Sequence, residues 1–312
     1  MGEEKQMCVR FCRMYVAGIA VFVISLAWAV TGVLADTQGD VSDMSTHEVR
    51  VHVPLSVWRG QAFICRFQPI AHASQYTLHW LDKTLSLPGD PGNMDTDVEV
   101  LLGAGLLRKT GNYPLVLTYV LDGHTHTQRH TVEVKAREYP VQRLTLPNNM
   151  VNLSKKNLAR HYKEKKEVTK ALAVVSPDRL WTLPLIRPVP GTISSAFGLQ
   201  RFINGQPRTP HRGVDFRGAV GVPIKACAAG RVGLVGNHYF AGRCVYIDHG
   251  QGVVSMYFHL SHVRVHQGQM VGRGEIIGRV GKTGRVTGPH LHVGVYVLGE
   301  AVDPLDLMQG RL

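Results

Sequence analysis

Pro289-His290-Leu291-His292-Val293-Gly294-Val295-Tyr296-Val297 puts two histidines two residues apart inside a run that otherwise reads as a β-strand. Side chains alternate across a strand, so His290 and His292 share one face while Leu291, Val293, Val295 and Val297 share the other. The two imidazoles then stand about 6 to 7 Å apart and face the same way. Alone, such a pair on a half-exposed strand is more often a solvated face than a metal site.

Two upstream stretches change that balance. Pro210-His211-Arg212-Gly213-Val214-Asp215-Phe216 supplies an imidazole and a carboxylate four positions apart, and its proline, glycine and β-branched valine read as a loop entering a strand. Its plainest reading is a turn with an aspartate cap. Ser255-Met256-Tyr257-Phe258-His259-Leu260 is again strand-like, and alternation puts Ser255, Tyr257 and His259 on one side. Around these, glycine-punctuated strands are predicted over 220–226, 231–235, 243–248, 253–257, 275–280 and 290–297, with almost no helical periodicity. Antiparallel pairing would bring the three elements to one side of a sheet, where Gly213, Gly288 and Gly294 would let a substrate backbone approach closely.

A hydrolytic zinc site takes three ligands from His and Asp or Glu and leaves one position open. His211, Asp215 and one of the two strand histidines would make such a set, leaving two imidazoles over. Histidine can act near neutral pH both as a proton acceptor and as a donor to a developing oxyanion. No H-E-x-x-H occurs in the chain, so the carboxylate base of helix-borne metalloproteases is missing and a histidine pair is its natural substitute.

The set His211-x-x-x-Asp215, Tyr257-x-His259-Leu260 and Thr287-Gly288-Pro289-His290-Leu291-His292 resembles the lysostaphin-type zinc peptidases, the M23 family of cell-wall endopeptidases. Supporting pieces lie in matching order: Ser194-Ser195-Ala196-Phe197-Gly198, Ile247-Asp248-His249-Gly250 and Gly281-Lys282-Thr283-Gly284, so that the likeness covers roughly residues 184–307. The resemblance implies one Zn2+ per chain, held by His211, Asp215 and His292, with His259 and His290 as the catalytic pair flanking the fourth position. It carries Tyr257 over more weakly, as an oxyanion or substrate donor that would equally fill core space. None of the five His and Asp positions is substituted, whereas some family members have lost ligands and act only as activators of other wall hydrolases. The implied function is hydrolysis of peptide cross-links in bacterial peptidoglycan, with a D,D-bond in a diaminopimelate-type bridge favoured over polyglycine. The alternative is a non-catalytic envelope scaffold or an activator of another wall hydrolase; a third reading is an enzyme held latent by its front domain.

Most of the 16 histidines carry no such signal. His124, His126 and His130 fall in a hairpin predicted from Pro114 to Val134 around Asp122-Gly123, where alternation would leave them on the polar face. His249 reads as part of a turn, and His262 and His266 lie on polar, loop-like stretches. Glu275 and Glu300 read as solvated.

The other end of the chain speaks to location. Residues 14–34 form an apolar run preceded by Lys5, Arg10 and Arg13 and followed by Asp36, which reads as an export segment. Ala35 with Val33 offers a cleavage site, the favoured outcome, although the run is long enough to stay as an uncleaved inner-membrane tether. Removing residues 1–35, with three basic and two acidic side chains, takes the net charge from +12 to +11. That basic excess favours anionic envelope polymers, and no nucleic-acid recognition motif is present. The expected location is the periplasm or cell envelope. Cys65, Cys227 and Cys244 are an odd set beyond the export segment. A hairpin turning near residues 236–242 would pair Cys244 with about position 234, too far from Cys227 for a disulfide.

The length after export allows two domains. Residues 47–138 alternate β-branched and aromatic runs with Pro, Gly and Asp turns, which predicts a small antiparallel β-sandwich, immunoglobulin-like in spacing. Residues 139–183 form a linker with an exposed helix over 154–175, Ser154 as its N-cap and Ser176-Pro177 as its end. Residues 184–312 make up the peptidase domain, so the fold class expected is mostly β throughout.

Overall fold

Alternating apolar residues build the front half as two sheets. In the computed structural model residues 48–87, 97–145 and 153–312 are described; the apolar run 14–34 lies outside them. The strands are β1 (Val51–His52), β2 (Ser56–Trp58), β3 (Gln61–Phe67), β4 (Ala73–Trp80), β5 (Lys83–Ser86), β6 (Val98–Ala104), β7 (Gly111–Leu121) and β8 (His124–Lys135). One sheet runs β1-β3-β6 and the other β2-β8-β7-β4-β5, with β2 parallel to β8. Phe63 and Phe67 of the first sheet meet Trp80 and Tyr76 of the second at ring-centroid distances of 5.3 and 5.2 Å. The Trp80 indole N–H also crosses between the sheets, donating to the Gly103 carbonyl at 2.8 Å.

The β7–β8 hairpin turns at Asp122-Gly123, both with positive φ, the backbone that a tight two-residue turn requires. Its histidines are not on the polar face as expected. Even-numbered positions of β8 run from half-buried His126 and His130 into buried Val132 and Val134, and His126 stacks on Tyr119 at 5.3 Å. Alternation was sound; the face was misassigned, because the strand's polar near end hides which side its apolar far end buries.

Between the halves lie β9 (Val141–Leu144) and helix α1 (Lys155–Leu172), whose N-cap Ser154 accepts from the Asn157 amide. Helix α1 stops three residues short of the predicted end at Val175 and is docked on the following sheet. Its Glu164 carboxylate accepts from Arg160 Nε at 2.6 Å and from the Tyr239 amide at 2.9 Å.

The C-terminal half contains β10 (Ile193–Ser195), β11 (Gln200–Ile203), β12 (Gln206–Pro207), β13 (Val214–Arg217), β14 (Pro223–Lys225), β15 (Gly230–His238), β16 (Gly242–Asp248), β17 (Val253–Val263), β18 (Met270–Val271), β19 (Ile276–Val280), β20 (His290–Val297) and β21 (Glu300–Val302), then helix α2 (Pro304–Met308). The main sheet runs β10-β13-β20-β17-β16-β15-β18, with β19 pairing β14 and β17, and β21 pairing β20, all antiparallel. A small separate sheet joins β12, β11 and β9, the last two parallel. Strand β14 is shorter than predicted because Gly221 takes a φ of 96° and Pro223 cannot donate to a ladder.

The two halves touch at β21 and the far end of β20. The Asp303 amide donates to the Gly60 carbonyl at 2.8 Å, the Leu106 amide to the Ala301 carbonyl at 3.1 Å, and Arg108 pairs with Glu300. A Cβ on Gly103 would come within 2.8 Å of Val302, so β6 lies close over β21. Cys65, Cys227 and Cys244 are buried free thiols, and Cys244 pairs across the hairpin with Gly236 instead of position 234. Among the described residues no helix is long and apolar enough to cross a membrane.

Candidate active site

Strand register assembles the first part of the site. On the β13–β20 pair Asp215 lies opposite His292 and Arg217 opposite His290. Directly opposed residues project to the same face, so Asp215 joins the face that alternation already gives to His290 and His292. His211 arrives from the loop before β13, which is tied down where the Gly198 amide donates to the His211 carbonyl at 2.8 Å and the His211 amide to Leu199 at 3.0 Å.

Three ligand atoms converge there. His211 Nε2 is 3.0 Å from Asp215 Oδ1, His292 Nδ1 is 2.8 Å from the same oxygen, and the two nitrogens are 3.0 Å apart. His211, Asp215 and His292 form the group of potential metal ligands found among the described residues. His211 Nδ1–H donates to the Ala196 carbonyl at 2.8 Å. A carbonyl only accepts, so the neutral ring turns a lone pair on Nε2 toward a carboxylate oxygen that also has only lone pairs. Acceptors this close need a cation between them, either a proton or a metal ion, and two imidazoles with one carboxylate are a donor set suited to zinc.

His259 and His290 are set by the same device. His259 Nδ1 lies 2.9 Å from the Thr283 carbonyl and His290 Nδ1 2.9 Å from the Gly288 carbonyl, which leaves each Nε2 as the lone-pair nitrogen. Their ring centroids are 4.7 Å apart, and His290 Nε2 is 3.9 Å from Asp215 Oδ1. His292 stacks on Phe258, its partner across β17–β20, at 5.0 Å and 17°.

His259 reaches this cluster through an irregularity that plain alternation cannot give. Tyr257 pairs with Val245 and Leu260 with Arg243, so Phe258 and His259 together fill the interval opposite Cys244. His259 takes a φ of 67°, in the left-handed region that is costly for a non-glycine residue, and its amide donates to the Ala241 carbonyl at 2.8 Å. The bulge parts His259 from Tyr257. Tyr257 is fully buried, its hydroxyl accepting from the Cys227 amide at 2.8 Å and sharing a 2.9 Å hydrogen bond with Ser255. It fills the core and does not join the histidine cluster, so the donor role carried over to it is withdrawn.

The glycines also do other work than expected. A Cβ on Gly213 would lie 2.4 Å from the Val293 carbonyl and 2.7 Å from the His292 ring, and one on Gly294 would strike Met256; both allow strands to pass one another. Only Gly288 of the three has open space before it.

Electrostatics follow from the packing. Burial alone would favour a neutral Asp215, but the pairing with His211 and His292 outweighs it and holds the carboxyl well below the usual range. Burial, then the neighbouring His292 and His290, lower His259 to about 3, so it is neutral at physiological pH.

Other residues were invisible in the sequence. Arg201 on β11 donates to Ser195 Oγ at 2.9 Å and stands 3.7 Å from Asp215 Oδ2, while Ser195 Oγ is 3.3 Å from His211 Nδ1. The Ser194–Gly198 motif pointed to this loop but not to the arginine three positions beyond it. His249, expected in a turn, is fully buried: Nδ1 lies 2.7 Å from the Ala229 carbonyl and Nε2 2.7 Å from Ser255 Oγ. His262 and His266 are exposed, Glu275 caps the Gly272 amide, and Glu300 pairs with Arg108.

Comparison with known proteins places this arrangement. The profile of Peptidase family M23 matches residues 209–304. Peptidoglycan DD-endopeptidase ShyA of Vibrio cholerae is 45% identical over 96 residues, 31% of this chain and 22% of that protein. DD-carboxypeptidase/endopeptidase Mpg of Neisseria meningitidis is 39% identical over 115 residues, 37% of this chain and 26% of that protein. This chain thus spans about a quarter of the length of the curated relatives it matches. The crystal structure of a candidate M23 peptidase from Pseudomonas aeruginosa is 32% identical with a TM-score of 0.62, covering 80% of this chain and 94% of that one. Because that likeness extends over both halves of the fold and not the histidine-bearing sheet alone, the chain belongs to peptidase family M23.

Proposed function

We propose that this protein is a zinc-dependent endopeptidase that hydrolyses peptide cross-links of bacterial peptidoglycan. The observation that carries the reading is the convergence of His211 Nε2, Asp215 Oδ1 and His292 Nδ1 within 3.0 Å of one another, flanked by the close pair His259 and His290. One Zn2+ held by His211, Asp215 and His292 would supply Lewis acidity at the scissile carbonyl. His259, neutral and fixed through Nδ1, accepts a proton at Nε2 from the attacking water. That proton then passes from His259 to the amide nitrogen as it departs, while His290, with its own Nε2 turned inward beside it, steadies the developing charge. The intact set speaks against the scaffold alternative.

The DD-endopeptidase names of the Vibrio and Neisseria relatives support a D,D-bond in peptidoglycan as the target, and with it an envelope location reached through the export segment 1–35. We assign 47–138 to an immunoglobulin-like sandwich on the strand order β1-β3-β6 against β2-β8-β7-β4-β5, 139–183 to a connector and 184–312 to the peptidase domain. The test is mass analysis of muropeptides released from purified sacculi, with metal content measured on the same protein by atomic emission. Release of D,D-cleaved products by a zinc-loaded chain supports the reading. Intact cross-links after incubation with such a chain would overturn it.

A further inference from the structure

We propose that Tyr139 is a positioning residue for the metal centre: its ring, tied to the front half of the fold, braces the backbone at Phe197 and Gly198 that holds His211 in place. This rests on the zinc endopeptidase reading above and extends it to a residue outside the site.

His211 depends on one short stretch of chain for its placement. The Ala196 carbonyl fixes its ring at 2.8 Å from Nδ1, the Gly198 amide donates to its carbonyl at 2.8 Å, and its amide donates to the Leu199 carbonyl at 3.0 Å. Residues 196–199 therefore set where Nε2 points. Asp215 and His292 differ, because they face one another on paired strands and are placed by the ladder itself. The stretch that serves His211 lies between strands, since β10 ends at Ser195 and β11 starts at Gln200. Its position must come from packing.

Tyr139 supplies that packing. Gly198 takes a φ of 79°, and a Cβ there would run into the Tyr139 ring, so the ring lies directly against this backbone. The buried Phe197 ring meets Tyr139 edge-on, with centroids 6.0 Å apart and planes at 73°. One residue on, the Pro140 carbonyl accepts from the Gln200 amide at 2.9 Å, where the parallel β9–β11 pair begins.

The brace is anchored in the front half. The Tyr139 hydroxyl donates to the Arg59 carbonyl at 2.6 Å, and a Cβ on Gly60 would strike both that hydroxyl and the Phe197 ring. The turn between β2 and β3 thus closes over Tyr139 and Phe197 together. The same turn is fixed to the end of the peptidase half, where the Asp303 amide donates to the Gly60 carbonyl at 2.8 Å. Close-packed side chains pass displacement on, so loss of the ring frees the Phe197–Gly198 backbone and, through it, His211. The front sandwich in this way helps to complete the metal centre.

The experiment measures zinc affinity of the full chain by competition with a chromogenic chelator, beside urea unfolding of the zinc-free protein. The chains compared are wild type, Tyr139→Ala, Tyr139→Leu, Tyr139→Phe and Leu117→Ala, the last removing a side chain buried on β7 whose strand partners are Leu78 and Gln128. Tyr139→Ala and Tyr139→Leu are expected to raise the zinc Kd about tenfold or more, as loss of support behind a ligand does. Tyr139→Leu keeps apolar bulk and answers the question if the alanine chain does not fold. Tyr139→Phe keeps the ring and should restore most of the affinity, while Leu117→Ala should lower the urea midpoint and leave Kd unchanged. Wild-type zinc affinity in the folded ring-less variants overturns the role, as does equal weakening by Leu117→Ala, which would trace the effect to general loosening. A wild-type chain that takes up no zinc overturns it together with the endopeptidase reading. Zinc loosened by loss of the ring, in a wild-type chain that releases no muropeptides, upholds the positioning role and sinks the endopeptidase reading alone.

Discussion

His259 and His292 stand in the same cluster but are held for different tasks, and single substitutions separate them. His292 Nδ1 points at Asp215 and His211, so His292→Ala should lose zinc and activity together. His259 points its Nε2 away from a backbone anchor, so His259→Ala should keep zinc and lose turnover by about 100- to 10,000-fold, the range of a lost acid–base group. Atomic emission beside muropeptide release reads both; zinc loss in His259→Ala would make it a ligand. Gly213→Ala tests the supporting layer: its methyl would press on the His292 ring and should weaken zinc by about tenfold or more in a chelator competition, as misplaced ligand support does. The residues His211, Asp215, His259, His290 and His292 were legible because their spacings are local to a loop and two strands. The carbonyls of Ala196, Thr283 and Gly288 that fix the ring tautomers were not, since any residue type can offer a backbone oxygen.

Elements show a similar division between what periodicity reveals and what it hides. Strand β20 was read to its boundaries because alternation and turn residues mark both ends. The bulge in β17 was not, because a period-two pattern assumes an unbroken pleat, and one extra residue moved His259 away from Tyr257. Helix α1 looked like an exposed spacer because its sequence is dominated by lysine and glutamate, yet its one buried carboxylate ties it to the β15–β16 connection. Glu164→Ala would strip Arg160 Nε of its carboxylate partner and leave the Tyr239 amide without its acceptor. A loss of about 1 to 3 kcal/mol is expected from urea unfolding, the cost of an unpaired buried group. Ala241, two residues beyond Tyr239, holds the His259 amide, so turnover on sacculi should fall as well while zinc content stays full. A stability loss with unchanged turnover would uncouple the helix from the site.

For the whole molecule the buried network His249–Ser255–Tyr257 sets how stability depends on pH. His249 is fully buried and burial lowers its pKa to about 4, against a hydrogen bond to Ala229 that works the other way. In the unfolded chain the ring titrates near 6.5, so between pH 6.5 and about 4 the unfolded state binds a proton that the folded state refuses. Stability is therefore full above pH 6.5 and declines as pH falls to 4, by about 3 kcal/mol for this one group. His259, lowered to about 3, acts in the same direction, while Asp303, raised by burial, acts oppositely around the carboxylate range. The contribution of His249 is isolated by His249→Asn, whose side-chain amide can still donate to the Ala229 carbonyl but takes up no proton. Urea unfolding of chelator-treated wild type and variant at several pH values should give a shallower decline for the variant between pH 6.5 and 4, even if the variant is less stable at neutral pH. Parallel slopes would mean that the His249 ring is protonated in the folded chain, and that the Ser255 and Tyr257 hydroxyls are oriented by something other than its lone pair.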